Sequence, residues 1–213
     1  MTITHHLDDA TLMSFAAGSL PDALSAVAAA HVAMCARCSG EVAALESIGG
    51  VLLGELSPAL LNKVEIAPAG GQASAGPISR DNARPRSGDL PGPLARLIGS
   101  DLHSVRWRWL GPGLWHHRLQ INGKGNLGLV KVTPGHVIPE HSHGGSELTL
   151  VLRGAFRDAT GHYSPGDVAD LDDTVEHTPI ADPGPDCICL VANENPARFR
   201  GVIARLLQPL HGM

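Results

Sequence analysis

Gly135-His136-Val137-Ile138-Pro139-Glu140-His141-Ser142-His143-Gly144-Gly145-Ser146-Glu147, closing at Gly154, decides how the C-terminal half of this 213-residue chain reads. His141 and His143 are two apart, so on an extended strand both side chains leave the same face. Glu147 follows four residues later and reaches the same point from the next strand if Gly144-Gly145 makes the tight turn between them. Two imidazoles and one carboxylate then converge, with Gly135 and Gly154 permitting turns at the strand ends. His177, about one hairpin downstream, is the natural fourth ligand, with His162 and His136 as competitors. Zinc, iron, nickel and manganese all accept such a nitrogen-plus-carboxylate set.

Around this stretch, short strand-like runs alternate with Gly, Pro and Asp. They are Val105–Leu110, Trp115–Ile121, Leu127–Val132, Glu147–Leu152, Asp167–Leu171, Cys187–Ala192 and Arg198–Ala204, preceded by a brief helical turn over Leu94–Ile98 that ends at Gly99. Many short strands with frequent turn residues point to an antiparallel barrel or sandwich of the jelly-roll type. Trp107, Trp109 and Trp115 read as barrel packing or edge cover rather than a ligand cage. Cys187 and Cys189 share one strand face, which suits core packing, with a redox or ligand-modified thiol as the alternative.

Residues 1–66 read as a small helical bundle. Asp8 or Asp9 can cap a first helix that buries Leu12 and Phe15 and stops at Gly18. Ser19-Leu20-Pro21-Asp22 is a start signal for an Ala-rich second helix running to about Met34. A third covers Glu41–Leu53, with Val42, Leu45, Ile48 and Leu52 on one stripe, and Ser57-Pro58 opens a fourth through Leu60, Leu61 and Val64. This region carries His31-x3-Cys35-x2-Cys38. On a helix those positions share a face, so three side chains can surround one ion if the helix ends near Cys38. Two thiolates and an imidazole leave tetrahedral zinc one ligand short. His5 and His6 can each supply it, and spacing alone does not choose between them.

Residues 67–92 are rich in Pro, Gly, Ala and Ser, with Arg80, Arg84 and Arg86 scattered through them; this reads as a flexible linker between the bundle and residues 93–213. Aromatic residues are only 3% of the chain, so Ala, Val and Leu must build the cores. A net charge of −5 and a pI near 6.1 argue against a broad nucleic-acid-binding surface, so any role in transcription should run through a protein partner. Met1-Thr2-Ile3-Thr4-His5-His6 lacks the basic start and apolar run of a signal peptide, and no uncharged apolar run approaches the ~18–20 residues of a membrane span. The expectation is a cytoplasmic chain with no direct membrane contact, in which close cysteine pairs are metal ligands or buried thiols rather than disulfides.

The spacing Gly135-x5-His141-x-His143-x3-Glu147-x6-Gly154 resembles the first cupin motif at every defined position. The second cupin motif is matched less well: Pro165-Gly166 is present, but ten residues separate Gly166 from His177. His31-x3-Cys35-x2-Cys38 with an upstream histidine resembles the zinc-binding anti-sigma motif. Together with Phe15-Ala16-Ala17-Gly18, Glu176-His177-Thr178-Pro179 and Asp186-Cys187-Ile188-Cys189-Leu190, the chain resembles the ChrR-type anti-sigma factors at both ends. The resemblance implies zinc held by His6, His31, Cys35 and Cys38, and a divalent metal, with zinc the family-based choice, held by His141, His143, Glu147 and His177. It also implies an extracytoplasmic-function sigma factor as partner and a part in oxidative stress, singlet oxygen included.

Two functions follow. In the first, the helical domain sequesters a sigma factor through helix faces left apolar around Leu20, Leu24, Val27 and Leu52, and the cupin takes part in the signal response. In the second, the cupin is a metal-dependent dioxygenase or isomerase with a helical targeting module, since three histidines and one glutamate leave a coordination position open. No other obvious catalytic groups accompany the cluster, and the expectation is a regulator, not an enzyme.

Overall fold

The protein is described by a computed structural model covering residues 2–56, 90–98 and 101–196, with the backbone of 198 and 199. The expected fourth helix, residues 67–89 of the expected linker and residues 200–204 of the last expected strand lie outside the described residues.

Asp8 caps α1 (Asp9–Ala16): its carboxylate accepts the Thr11 N–H at 2.6 Å, one of the donors a helix start leaves unpaired. Gly18, at φ +68°, turns the chain toward α2 (Asp22–Met34). Pro21, not Ser19, immediately precedes that helix. Asp22 accepts the Lys124 N–H at 2.9 Å and Ala23 N–H donates to the Lys124 carbonyl, so the start of α2 has no side-chain cap and is tied to the barrel. α3 (Ala36–Gly54) begins five residues earlier than expected, because Cys35 alone breaks the helix (φ −105°, ψ 108°). The Cys35 sulfur then accepts the Cys38 N–H. His31 and Cys38 therefore sit on two helices bent by 115°, not on one continuous helix face. A short α4 (Gly92–Ile98) buries Leu94.

Twelve strands follow among the described residues. They are β1 (Arg108–Gly111), β2 (Leu114–Leu119), β3 (Asn126–Val132), β4 (His141–Ser142), β5 (Glu147–Arg153), β6 (Phe156–Arg157), β7 (His162–Tyr163), β8 (Val168–Leu171), β9 (Glu176–His177), β10 (Ile180–Ala181), β11 (Cys187–Asn193) and β12 (Arg198–Phe199). All paired strands are antiparallel. One sheet runs β1-β2-β3-β11-β5-β8, and two smaller ones run β10-β6-β7 and β12-β4-β9. Gly144-Gly145 does not close a hairpin: β4 pairs with β9 and β12, whereas β5 pairs with β11 and β8, so these glycines carry the chain from one sheet to the other. Gly154, at φ +70°, ends β5 where a Cβ would lie 2.7 Å from the Asp186 carbonyl oxygen. Lys131 sits over the rings of Trp107 and Trp115, which makes those rings cover for β3.

The period of two along the strands separates two cores. Val132, Val151, Phe156, Cys187 and Cys189 point into the barrel. Leu129, Leu148, Leu150, Leu190 and Ala192 point outward, against Leu24, Val27 and Ala28 of α2. Helical segment and barrel thus share one apolar core. Small alanines let α2 lie close to the sheet, which is why Leu24 and Val27 are fully buried and unavailable as partner contacts.

The polar seam of this contact is the loop before β8. The Asp167 carboxylate accepts the N–H groups of Thr4 at 2.6 Å, His5 at 2.9 Å and Ser164 at 2.8 Å. Asp170 accepts the Asp8 N–H at 3.0 Å. His31 Nδ1–H donates to the Gly166 carbonyl at 3.0 Å, and Gly166 (φ +94°) leaves no room for a Cβ beside Ile3. Burial works to raise the pKa of Asp167, but the backbone donors outweigh it and hold the carboxylate ionised below its ordinary range. Its contribution is present above the unfolded value of about 3.9 and lost as pH falls through the lower folded value. In Asp167→Asn at neutral pH, amide exchange at Thr4 and His5 should accelerate at least tenfold, for a loss on the order of 1.5 kcal/mol, with the β11 amides unchanged. Unaltered exchange at Thr4 and His5 would show that Asp167 does not hold the N-terminal segment.

Candidate metal centres

The first cluster forms where α2 meets α3 under the N-terminal segment. His31 Nε2 lies 3.3 Å from Cys38 Sγ, and His6 Nδ1 lies 3.3 Å from Cys35 Sγ and 3.7 Å from Cys38 Sγ. All four ligand atoms fall within 4.8 Å of one another, and His31, Cys35 and Cys38 are buried. His31 commits its Nδ1 proton to Gly166, which leaves the Nε2 lone pair facing the sulfurs. Burial, the largest effect, lowers the His31 pKa to about 4, so the ring is a neutral donor at pH 7. Burial first, then the neighbouring Cys35, pushes the Cys38 thiol up to about 12, so a thiolate forms there only with a cation beside it. Two thiols and two imidazoles at this spacing fit tetrahedral zinc, which would organise the bundle and supply no open position. His5 is outside the cluster. Its ring packs on Tyr163 at 4.4 Å, so geometry separates the two histidines that spacing left equal.

The second cluster lies inside the barrel. β4 and β9 place His141 directly opposite His177. The Nε2 atom of His177 is 3.1 Å from that of His141 and 3.2 Å from that of His143. His141 Nδ1–H donates to the Pro139 carbonyl at 2.9 Å and His177 Nδ1–H donates to Asp158 at 2.8 Å, so both rings aim a bare Nε2 inward. Lone pairs facing one another at this distance repel unless a cation sits among them. Glu147 arrives from the start of β5; its Oε2 is 3.0 Å from His143 Nδ1, off the line a hydrogen bond needs, and that buried nitrogen has no other partner. Burial drives the Glu147 pKa up, but the three histidines outweigh it and the carboxyl stays ionised. Burial lowers His141 to about 4 and keeps it neutral. Three imidazoles and one carboxylate with ligand atoms within 4.8 Å fit a borderline divalent ion and leave room for a further ligand. His162 is instead an exposed partner of Asp182, and His136 lies outside the cluster.

Comparison with known proteins gives the family. The family model described as the ChrR cupin-like domain matches residues 96–197. The anti-sigma-E factor ChrR of Cereibacter sphaeroides is 41% identical over 212 residues, covering 98% of each chain. The chain belongs to the ChrR family. The crystal structure of Rhodobacter sphaeroides SigE in complex with the anti-sigma ChrR matches with a TM-score of 0.73 at 40% identity, over 90% of this chain and 99% of that one. A cupin protein from Ralstonia eutropha matches with a TM-score of 0.42 at 19% identity, over 48% of this chain and 71% of that one.

In this member of the ChrR family a run of contacts that sequence reasoning missed links the two clusters. His31 holds Gly166, Asp167 holds His5, and the His5 ring lies on Tyr163. The Tyr163 hydroxyl meets the Thr160 hydroxyl at 2.9 Å, and Asp158 accepts from Thr160 and from His177. Burial raises the Asp158 pKa, but the hydrogen bonds from His177 and Thr160 win and bring it down to about 2. An acid ahead of the turn Ala159-Thr160-Gly161 was the available signal for it. Cys187 and Cys189 line the barrel interior with sulfurs 3.7 Å apart, and the Cys189 thiol is held well above its ordinary pKa, so it is protonated at neutral pH. Metal analysis should give two ions per chain in the wild type and one in either Cys38→Ser or Glu147→Ala, the second variant keeping its thiolate-bound ion. Loss of both ions from either folded variant would show that the two clusters are not separate sites.

Proposed function

We propose that this chain is an anti-sigma factor that captures an extracytoplasmic-function sigma factor. Residues 1–66 would make the contact through a zinc-ordered helical bundle, residues 67–92 would tether it, and the metal-bearing cupin of residues 93–213 would answer a stress signal of the oxidative, singlet-oxygen type. The observation that carries the reading is the alignment, end to end, with a relative named as an anti-sigma factor and seen in complex with SigE. The binding surface follows from α3. Its N-terminal half buries Cys38 and Val42, while its C-terminal half extends past the bundle and exposes Ile48, Val51, Leu52 and Leu53, each 59–64% accessible. An apolar strip of this kind on a helix is a docking surface for another apolar face, and nothing among the described residues covers it. It replaces the contacts expected at Leu24 and Val27, which the barrel already occupies.

The contact run from His177 to His31 supports the way a change at the cupin metal would reach the zinc-bearing helices. Zinc affinity in the bundle becomes folding free energy for α1–α3, so capture should depend on that ion. The place of action is the cytoplasm, where sigma factors work. Among the described residues, no single helix is long and apolar enough to cross a membrane. The reading is regulatory rather than enzymatic, because the relative is named an anti-sigma factor.

The test is co-purification with the SigE-like sigma factor of the same cell. The wild type should bind, Ile48→Asp/Leu52→Asp should bind about 10- to 100-fold more weakly, and Cys38→Ser should not bind. Binding by a zinc-free chain with full affinity would refute the role of the ion, and an unchanged α3 variant would move the interface elsewhere.

A further inference from the structure

The barrel encloses a cavity of about 140 Å³ that reaches from the second cluster to the opposite wall. Cavities of this order admit a benzene ring in other proteins. Most of its wall is apolar, with Leu114, Val130, Val132, Ile138 and Phe156 among the lining side chains. One side differs. His116 and Arg118 are two apart on β2 and so point to the same face, into the cavity. Neither makes a hydrogen bond or ion pair with another described residue. Gly128 lies opposite Arg118 in the β2–β3 register, and a Cβ there would strike the His116 ring at 2.3 Å, so the bare glycine is what lets the imidazole lie over the sheet. Burial lowers the His116 pKa to about 4, which leaves a neutral ring beside a permanent cation.

The acidic group of the cavity is elsewhere. Glu147 on β5 is separated from β2 by β11 and β3, three strand spacings of about 4.8 Å each along the curved sheet. Arg118 therefore keeps its charge uncompensated at the edge of an apolar chamber, and the metal-cluster carboxylate cannot neutralise it. A planar guanidinium facing such a chamber is matched by a carboxylate, which takes two parallel N–H donors and buries its tail among the apolar side chains.

We propose that this cavity binds a small monocarboxylic acid with a compact apolar or aromatic body, the carboxylate on Arg118 and His116 and the body pointing toward the metal cluster. The site is independent of sigma-factor capture and stands or falls on its own.

The probe is benzoate, with benzyl alcohol as its neutral counterpart, titrated by calorimetry into the metal-loaded full-length chain. Benzoate should bind with one site, at least tenfold more tightly than benzyl alcohol. In Arg118→Gln, an exposed position, benzoate should weaken at least tenfold while benzyl alcohol is unchanged, and Arg118→Lys should recover part of the loss. Failure of benzoate to bind, or equal binding by wild type and Arg118→Gln, would overturn the proposal. So would binding that survives Arg118→Gln but disappears in His141→Ala, because the carboxylate would then sit on the metal and not on the guanidinium.

Discussion

The loop ahead of β8 is the constraint on which the rest of this structure depends. Through Gly166 and Asp167 it holds His31, Thr4 and His5, so the barrel fixes the ring that would face one ion and the segment carrying another of its ligands. A metal ligand is only as well placed as the group that holds its other ring nitrogen. For His31 that group belongs to the barrel. For His177 it is Asp158, reached from the same loop through Tyr163 and Thr160. The two clusters are therefore joined by a run of hydrogen bonds and one ring contact, His5 on Tyr163, although one lies between helices and the other inside a barrel.

This arrangement explains how a bundle with so many alanines is stable. Ala23, Ala28 and Ala30 of α2 bury almost no area on each other, but their small size lets Leu24 and Val27 reach Leu148, Leu150 and Leu190 of the sheet. The barrel supplies the large apolar partners that α2 lacks. In turn, covering one face of α2 leaves the C-terminal half of α3 as the apolar surface without a partner among the described residues. Burial on one side and exposure on the other separate the part of the bundle that holds the cupin from the part left open to solvent.

Much of this was legible in the sequence, for physical reasons that differ from one element to the next. The seven-residue strands β3, β5 and β11 are long enough to show: β5 alternates apolar residues from Leu148 to Leu150 and Leu152, β3 does so less strictly, and β11 is an unbroken apolar run from Cys187 to Ala192, as suits a strand buried on both faces. The two-residue strands β4, β6, β7, β9 and β10 are too short to carry any pattern, and they emerge only from pairing. The helix break at Cys35 is invisible because no Gly or Pro marks it; the Cys35 sulfur caps α3 by accepting the Cys38 N–H, a local role in which cysteine is an uncommon capping residue. Gly144-Gly145 reads as a hairpin turn and is a sheet-to-sheet crossing, since local chemistry permits both and pairing partners decide. The eight candidate ligands were nominated from residue type and spacing, and the structure brings them together in two clusters of four. The residues that hold them, Asp158 and Asp167, were not, because a single aspartate in a turn or at a strand start has many other uses.

The most direct test of coupling between the two centres is cadmium NMR of the full-length chain loaded with ¹¹³Cd. Two resonances are expected, one in the range of mixed sulfur and nitrogen ligation and one in that of nitrogen and oxygen. Asp158→Ala, which touches neither ion, should shift both. A sulfur-range signal that does not move when Asp158 is removed would contradict the link, and a spectrum with no such signal would contradict the first centre itself.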